Sequence, residues 1–484
     1  MTRSISPARL AGLVDGFHRA PAYLGLAESL TLLIGDGRIP WRTRLPSERD
    51  LATALGVSRT TVTRAYAALV ESGYAEARRG AGTFSKVPGG RRRVHDRALL
   101  PGHDSNDVID LNCAAGSAPP GIAAAYAEAA TDLPAYLGGH GYFPAGLPRL
   151  QEAIAATYDA RGLPTRPEQI MVTPGALSAA AILAQALTRP GTRVLVDSPV
   201  YPNAVDALRH AGARLVVSPV APEAWDLAAI AATLRQTRPS LAYVIADFQN
   251  PTGLVMSAAE RATLADSLAR TGTVAVVDEA HQALELDGAA MPPPFAAFAP
   301  DAITLGSASK AFWGGLRLGW IRVPPPTSGG AAVMTELTGA RVRLDLGAPV
   351  LEQLVLARLL AHPEAVLTAH RERLREQRAA LAAAVAEQLP EWAFRLPSGG
   401  LCLWCRLPLP VATEVAAEAE QRGVVTAPGP VFAVEGGLDH FLRIPWTRPA
   451  EELARAARVL GESWRAVLAR GAGRVRRTPR VIVA

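Results

Sequence analysis

The 484-residue chain predicts an α/β protein of two or more domains. A small helical module closed by a hairpin comes first. A large domain on a mainly parallel sheet follows, with a smaller α+β subdomain over about 345–469. Three observations carry this reading. From 108 to 469, short apolar strands alternate with amphipathic helices: QIMVT then ALSAAAILAQAL, RVLVDSP then VDALRHAG, LAYVIADF then AAERATLADSLA, then VAVVDEA. That alternation predicts a parallel sheet covered on both faces. Residues 15–86 instead read as consecutive capped helices, and 87–107 have the Gly-, Pro- and charge-rich composition of a linker. Residues before about 20 read as a poorly defined lead, and 470–484 as a basic tail.

Composition narrows the function classes. Hydrophobic residues make up 49% and charged residues 19% of the chain, an ordinary globular balance. The net charge of +6 suits a polyanionic partner without specifying one. Three cysteines, Cys113, Cys402 and Cys405, cannot form a disulfide framework, so a reducing cytoplasm is the expected compartment. Cys402 and Cys405 have CxxC spacing but sit in GGLCLWCRL, which reads as a strand, and no metal site is expected there. The N-terminal MTRSISPARLAGLV lacks a signal-peptide core, and no apolar run reaches the roughly 18 residues of a membrane span.

Of 50 basic residues, only Lys86 and Lys310 are lysines; the other 48 are arginines. A lysine amine can lose its proton and form a Schiff base, whereas a guanidinium cannot. Lys86 lies in a polar, Gly-rich stretch that reads as solvated. Lys310 lies in SASKAFWGGLRLGW, just after the hydroxyls of Ser307 and Ser309 and seven residues before Arg317.

In the N-terminal module, 22–37 form a first amphipathic helix. Ser47 caps a second helix, which Gly56 stops in the left-handed conformation, and Ser58 caps a third. Val62, Ala65, Tyr66 and Leu69 fall on one face of the third helix, with Thr60 and Arg64 opposite. This is the helix-turn-helix arrangement, whose recognition helix meets base edges with its N-terminal end. Arg78 to Phe84 reads as a two-stranded wing with a basic, glycine-bent tip. LPSERDLATALGVSRTTVTRAYAALVESGYAEARRGAGTF resembles the GntR-type winged helix over its whole length. The resemblance implies double-stranded DNA as partner, with Arg49, Arg59, Thr60, Thr61 and Gly82 as contacts and Arg44 and Arg64 as phosphate neighbours.

The large domain carries the parts of a pyridoxal phosphate site. An amine is needed for the aldehyde, a carboxylate for the ring nitrogen, donors for the phosphate and a flat neighbour for the ring. Lys310 can supply the first. Asp278 ends the apolar strand VAVVDEA, and Asn250 opens the turn NPTG after LAYVIADF. Gly175 and Ala176 open the helix after QIMVTP, and Tyr201 follows another strand. Together these resemble the fold-type I aminotransferases over roughly 360 residues. By that resemblance Lys310 joins the cofactor, Asp278 pairs with its pyridinium, Asn250 bonds the ring oxygen and Tyr201 stacks. Gly175, Ala176, Ser307 and Arg317 hold the phosphate, Ser309 binds the cofactor beside them, and Tyr142 reaches the phosphate across a dimer interface. Arg443, in FLRIPW, pairs with a ligand α-carboxylate. The family usually carries tyrosine three residues after the aspartate; here the residue is His281.

Asp278-Glu279-Ala280-His281 also spells a helicase box, but no GxxxxGK[ST] phosphate loop exists for it. Winged helix, linker and aminotransferase-like domain in this order resemble the MocR/GabR family of transcriptional regulators. The resemblance implies a homodimer and a small amino-compound effector, or the cofactor itself, as signal. An active aminotransferase with an accessory DNA-binding domain is the alternative.

Overall fold

A computed structural model describes residues 4–86 and 108–470, apart from positions 15, 37, 41 and 222. The linker expected over 87–107 and the tail beyond residue 470 lie outside the described residues. Those described fall into two compact units. The first runs to residue 86 and includes 118–128; the second holds the rest.

The first unit contains α1 (Pro7–Leu13), α2 (Ala22–Gly35), α3 (Glu48–Leu55), α4 (Arg59–Glu71), β1 (Ala75–Arg78) and β2 (Gly82–Ser85). The caps fall where the sequence places them. Ser47 accepts the N–H of Asp50 (3.2 Å), Gly56 turns left-handed with φ 64°, and Ser58 accepts the N–H of Thr61 (3.1 Å). Val62, Ala65, Tyr66 and Leu69 are the buried face of α4, packed with Leu26, Leu30, Ile34 and Leu51. β1 and β2 pair antiparallel from Ala75↔Ser85 to Arg78↔Gly82, forming the wing, and exposed Lys86 follows.

The residues before 20 are not a loose lead. Ser6 accepts the N–H of Arg9, Pro7 pre-sets the first helical φ, and Leu10 and Val14 are buried in the same core. The pattern does not announce α1 because seven residues give too few turns to show a periodicity.

The second unit begins at β3 (Ile109–Asp110); α5 (Ile122–Asp132), most of which belongs to the first unit, and α6 (Pro148–Ala160) follow in the chain. The α/β alternation then runs β4 (Ile170–Thr173), α7 (Ala176–Leu187), β5 (Arg193–Ser198), α8 (Pro202–His210), β6 (Arg214–Pro219), α9 (Leu227–Thr237), β7 (Leu241–Val244), α10 (Ala258–Thr271) and β8 (Val274–Asp278). β9 (Ile303–Ser307) and β10 (Gly319–Arg322) complete a seven-stranded sheet of order β4-β10-β9-β8-β7-β5-β6. Only β10 runs antiparallel to its neighbours. β4, β7 and β9 are buried along their whole length, as expected of strands covered on both faces.

Three helices, α11 (Gly330–Val342), α12 (Val350–Ala361) and the 25-residue α13 (Glu364–Gln388), lead to the smaller α+β part. There β11 (Cys402–Arg406), β13 (Ala427–Pro428) and β14 (Phe441–Pro445) form an antiparallel sheet. β12 (Val424–Val425), α14 (Ala412–Gln421) and α15 (Ala450–Arg470) complete it. β3 pairs with β12, so Ile109, Leu111 and Ala114 join the core of this C-terminal part. Among the described residues, no helix is long and apolar enough to cross a membrane.

Deleting the side chain of fully buried Leu10 leaves a cavity worth about 2–4 kcal/mol. Leu10→Ala should therefore lower the first unit's unfolding midpoint in a denaturant titration; an unchanged midpoint would return these residues to a loose lead.

Candidate functional site

The carboxyl edge of the large sheet gathers one functional group from nearly every strand. β4 leads through Thr173 into Gly175 and α7, β5 into Tyr201, and β7 into Asn250. β8 ends at Asp278, β9 runs into Ser307, Ser309 and Lys310, and Arg317 precedes β10. This is the edge at which open α/β sheets bind ligands. Of these residues, Ala176, Tyr201, Asn250, Asp278, His281, Ser307, Ser309, Lys310 and Arg317 line one cavity of about 590 Å³.

Burial sets the chemistry of that cavity. Lys310 Nζ donates to the carbonyl of Ala114 (3.1 Å), and burial pushes its amine below the usual lysine range. Burial raises the Asp278 carboxyl. Two donors oppose this: Tyr243 O–H to Oδ2 (2.6 Å) and the N–H of Ala280 to Oδ1 (2.9 Å). His281 is pushed down to about 3, first by burial and then by the charges of Lys310 and Arg443, so it is neutral at physiological pH. Tyr201 lines the cavity with its hydroxyl accepting from Asn203 Nδ2 (3.0 Å).

A phosphate cradle is visible in the backbone. Gly175 stands at the N-cap of α7 with φ 99°, and no side chain caps that helix, leaving its first N–H groups for an anion. Arg317 Nη2 donates to the carbonyl of Pro174 (3.1 Å), and a Cβ at Gly175 would lie 3.1 Å from that nitrogen. A Cβ at Gly319 would come within 2.6 Å of the Ala176 nitrogen, so only glycine lets β10 approach the cradle. The residues fit pyridoxal phosphate: an amine that burial pushes toward its neutral form, a buried carboxylate, and an uncapped helix beside a guanidinium.

Two predicted residues stand apart from the cavity. Arg443 is fully buried beneath it, donating through Nη1 to Asn250 Oδ1 (3.5 Å) and through Nη2 to the Asn112 carbonyl, 4.9 Å from the centre of the Phe432 ring. Its Nε and the side-chain oxygen of Asn112 have no hydrogen-bond partner among the described residues. Tyr142 is 57% exposed, and its nearest ring is His140; one chain does not bring it to the cavity.

Several supporting residues give no signal in the sequence. Tyr243 sits seven residues before Asn250 on a strand legible only as apolar. Cys113 and Ala114 line the cavity from a segment with no periodicity. His370, on α13, touches the Lys310 carbonyl through Nε2 (3.1 Å). Arg373 Nη2 donates to its Nδ1 (3.0 Å), which assigns the proton to Nε2.

In the first unit, Arg44, Arg49, Arg59, Thr60 and Gly82 are exposed around the start of α4 and the wing. Arg44 packs on Gly82, where a Cβ would lie 3.1 Å from its Nε. Thr61 is half-buried and its hydroxyl contacts Ser58 Oγ (2.8 Å), so it belongs to the helix cap. Arg64 stacks on Tyr23 of α2, its guanidinium carbon 3.6 Å from the ring centre. Glu48, unassigned in the sequence, accepts from Thr63 (2.8 Å) and lies 3.5 Å from Arg59 Nε, orienting that arginine.

The aminotransferase class I and II family matches residues 110–460, and the gntR family of bacterial regulatory proteins matches 22–84. The chain is 31% identical over 347 residues to the probable rhizopine catabolism regulatory protein MocR of Rhizobium meliloti, covering 66% of this chain and 69% of that one. It is 25% identical over 474 residues to the uncharacterized HTH-type transcriptional regulator YdfD of Bacillus subtilis, covering 92% and 96%. Its fold is similar to that of LysN, an α-aminoadipate aminotransferase from Thermus thermophilus complexed with N-(5'-phosphopyridoxyl)-L-leucine. There the TM-score is 0.68 at 29% identity, over 78% of this chain and 95% of that one. The chain belongs to the class I and II aminotransferase family. With its gntR-family DNA-binding domain ahead, it is a transcriptional regulator of the MocR/GabR type, and its cofactor is pyridoxal 5'-phosphate.

Losing a hydrogen bond to a buried carboxylate costs about 1.5 kcal/mol, so Tyr243→Phe should weaken cofactor binding about tenfold, read by absorbance titration of the apoprotein. Equal affinity would remove Tyr243 from the site. Installing the family's phenol donor stabilises negative charge on the ring oxygen. His281→Tyr should therefore lower the pH midpoint of the bound cofactor's colour change by about one pH unit; a midpoint that stays put would show that residue 281 does not face that oxygen.

Proposed function

We propose that this regulator binds an amino compound, or pyridoxal phosphate itself, at the carboxyl edge of its large sheet and changes its hold on promoter DNA in response. The observation that carries the reading is Lys310, the half-buried member of only two lysines, lining one cavity with Asp278. When bound, the cofactor supplies an aldehyde for that amine and an electron-accepting ring. Asp278, whose carboxylate form Tyr243 and Ala280 favour against its burial, would pair with the ring nitrogen. Asn250 faces the ring oxygen, Tyr201 covers the ring, and Gly175, Ala176, Ser307, Ser309 and Arg317 take the phosphate.

Arg443 is assigned to the effector's carboxylate. Its unpartnered Nε and the bonds it makes to Asn250 and Asn112 support that role. A carboxylate arriving there replaces the weak contact to Asn250 with a bidentate pair. The ligand acts by binding one of two states of the protein more tightly than the other. Tyr142 completes a partner's site in a homodimer, which accounts for its exposure in a single chain. In the first unit, Arg49, Arg59 and Thr60 read base edges while Arg44, Arg64 and Gly82 sit against phosphates; Thr61 keeps the recognition helix capped. The setting is a bacterial cytoplasm, on the nucleoid.

Lys310→Ala should still bind promoter fragments, yet retain no cofactor after borohydride treatment and show no change in DNA affinity on adding amino compounds. Steady turnover of an amino donor and keto acid acceptor by the native chain, with DNA binding indifferent to both, would replace this reading with an aminotransferase carrying an accessory domain.

A further inference from the structure

At the opposite edge of the large sheet, remote from the cofactor cradle, four neighbouring strands begin side by side in the order β8, β7, β5, β6. The connections into them carry Arg270, Arg235 with Arg238, Arg189 with Arg193, and Arg214, and all of these side chains are exposed. None is in an ion pair among the described residues. Only Arg270 finds a side-chain partner, donating to Ser267 Oγ (3.0 Å). The connecting stretches 188–193, 211–214, 235–240 and 270–273 contain no Asp or Glu. Arg193 and Arg214 are register partners on adjacent strands, and Arg235, Arg238 and Arg270 rim one hollow of about 320 Å³.

Part of this has a local cause. α7, α8, α9 and α10 end at this edge, and a cation near a helix's last carbonyls gains about 0.3–1 kcal/mol. One arginine per helix end would meet that need. Arg193 and Arg214 lie outside it, because they belong to strands and place like charges side by side. Arg238 is also unaccounted for, since it caps α9 with φ 40°, a left-handed position where glycine is the unstrained residue. Glycine there would remove the strain and the cation together.

We infer that this edge is a second nucleic-acid surface, taking the phosphate backbone of double-stranded DNA without reading bases. The chain already binds DNA, so duplex phosphates are held at high local concentration for any other cation on it. Four strands span about 15 Å, against which a duplex presents a negative charge about every 1.7 Å of its axis. Guanidinium groups pair with phosphate bidentately. None of the large exposed apolar side chains lies on these connections, so the edge has nothing to insert into a lipid surface.

The test uses the full-length, cofactor-loaded protein and a 200-base-pair duplex of random sequence. Binding is measured across a salt series for the native chain, for the triple variant Arg235→Gln/Arg238→Gln/Arg270→Gln, and for Arg193→Gln/Arg214→Gln. Each phosphate that is no longer neutralised should reduce the slope of log affinity against log salt by about 0.9. The triple variant should then lose about 2–3 from the slope and bind at least tenfold more weakly at low salt, with its cofactor absorbance unchanged. The double variant should show a smaller loss of the same kind and keeps the test open if the triple variant folds poorly. Native slopes in both variants would overturn the inference. So would native DNA binding combined with abolished binding to phosphatidylglycerol vesicles, which would make the edge a membrane contact instead.

Discussion

An amine pressed by its surroundings toward the neutral form is the constraint on which the large domain turns. Burial presses the Lys310 ammonium toward its neutral form, with the guanidinium groups of Arg443 and Arg317 pressing the same way and Cys113 and Asp278 opposing them. In the same cavity, burial also presses Asp278 toward its neutral form. Tyr243 and the backbone of Ala280 oppose that. Two titratable groups in one cavity are thus driven in different directions by their separate partners. The elements that deliver those partners, β7 for Tyr243 and the turn after β8 for Ala280, are ordinary parts of a parallel sheet.

Arginine surrounds this amine because arginine cannot imitate it. Elsewhere in the chain a cation has to be permanent: beside a phosphate, in a buried pair, at a helix end. Only at position 310 must a basic side chain be able to give up its proton. The near absence of lysine from the sequence therefore isolates the reactive residue chemically as well as structurally.

Much of this was legible in the primary sequence, for physical reasons. Caps such as Ser47, Gly56 and Ser58 act within four residues, so their meaning is local and survives without a structure. Strand-terminal groups such as Asp278, Asn250 and Lys310 are legible because each follows an apolar run of obvious period. What was not legible depends on distant partners. Tyr243 looks like any strand aromatic until β8 lies beside it, and His370 gains a role only when α13 crosses the Lys310 turn. Ile109 joins the C-terminal core through a two-residue pairing with β12, which no pattern announces. α1 is short enough that its cap, rather than its period, was the available signal.

The scarcity of ε-amines has a practical corollary for handling the protein. Lys86, exposed where the wing strand ends, is the only lysine besides Lys310, which lines the cavity. Reagents that acylate primary amines will therefore attach there or at the α-amino group. A sensor chip or fluorophore coupled at Lys86 will sit against the β1–β2 hairpin of the gntR-family domain. Thiol coupling offers no clean escape, since Cys402 and Cys405 are buried and Cys113 lines the cofactor cavity.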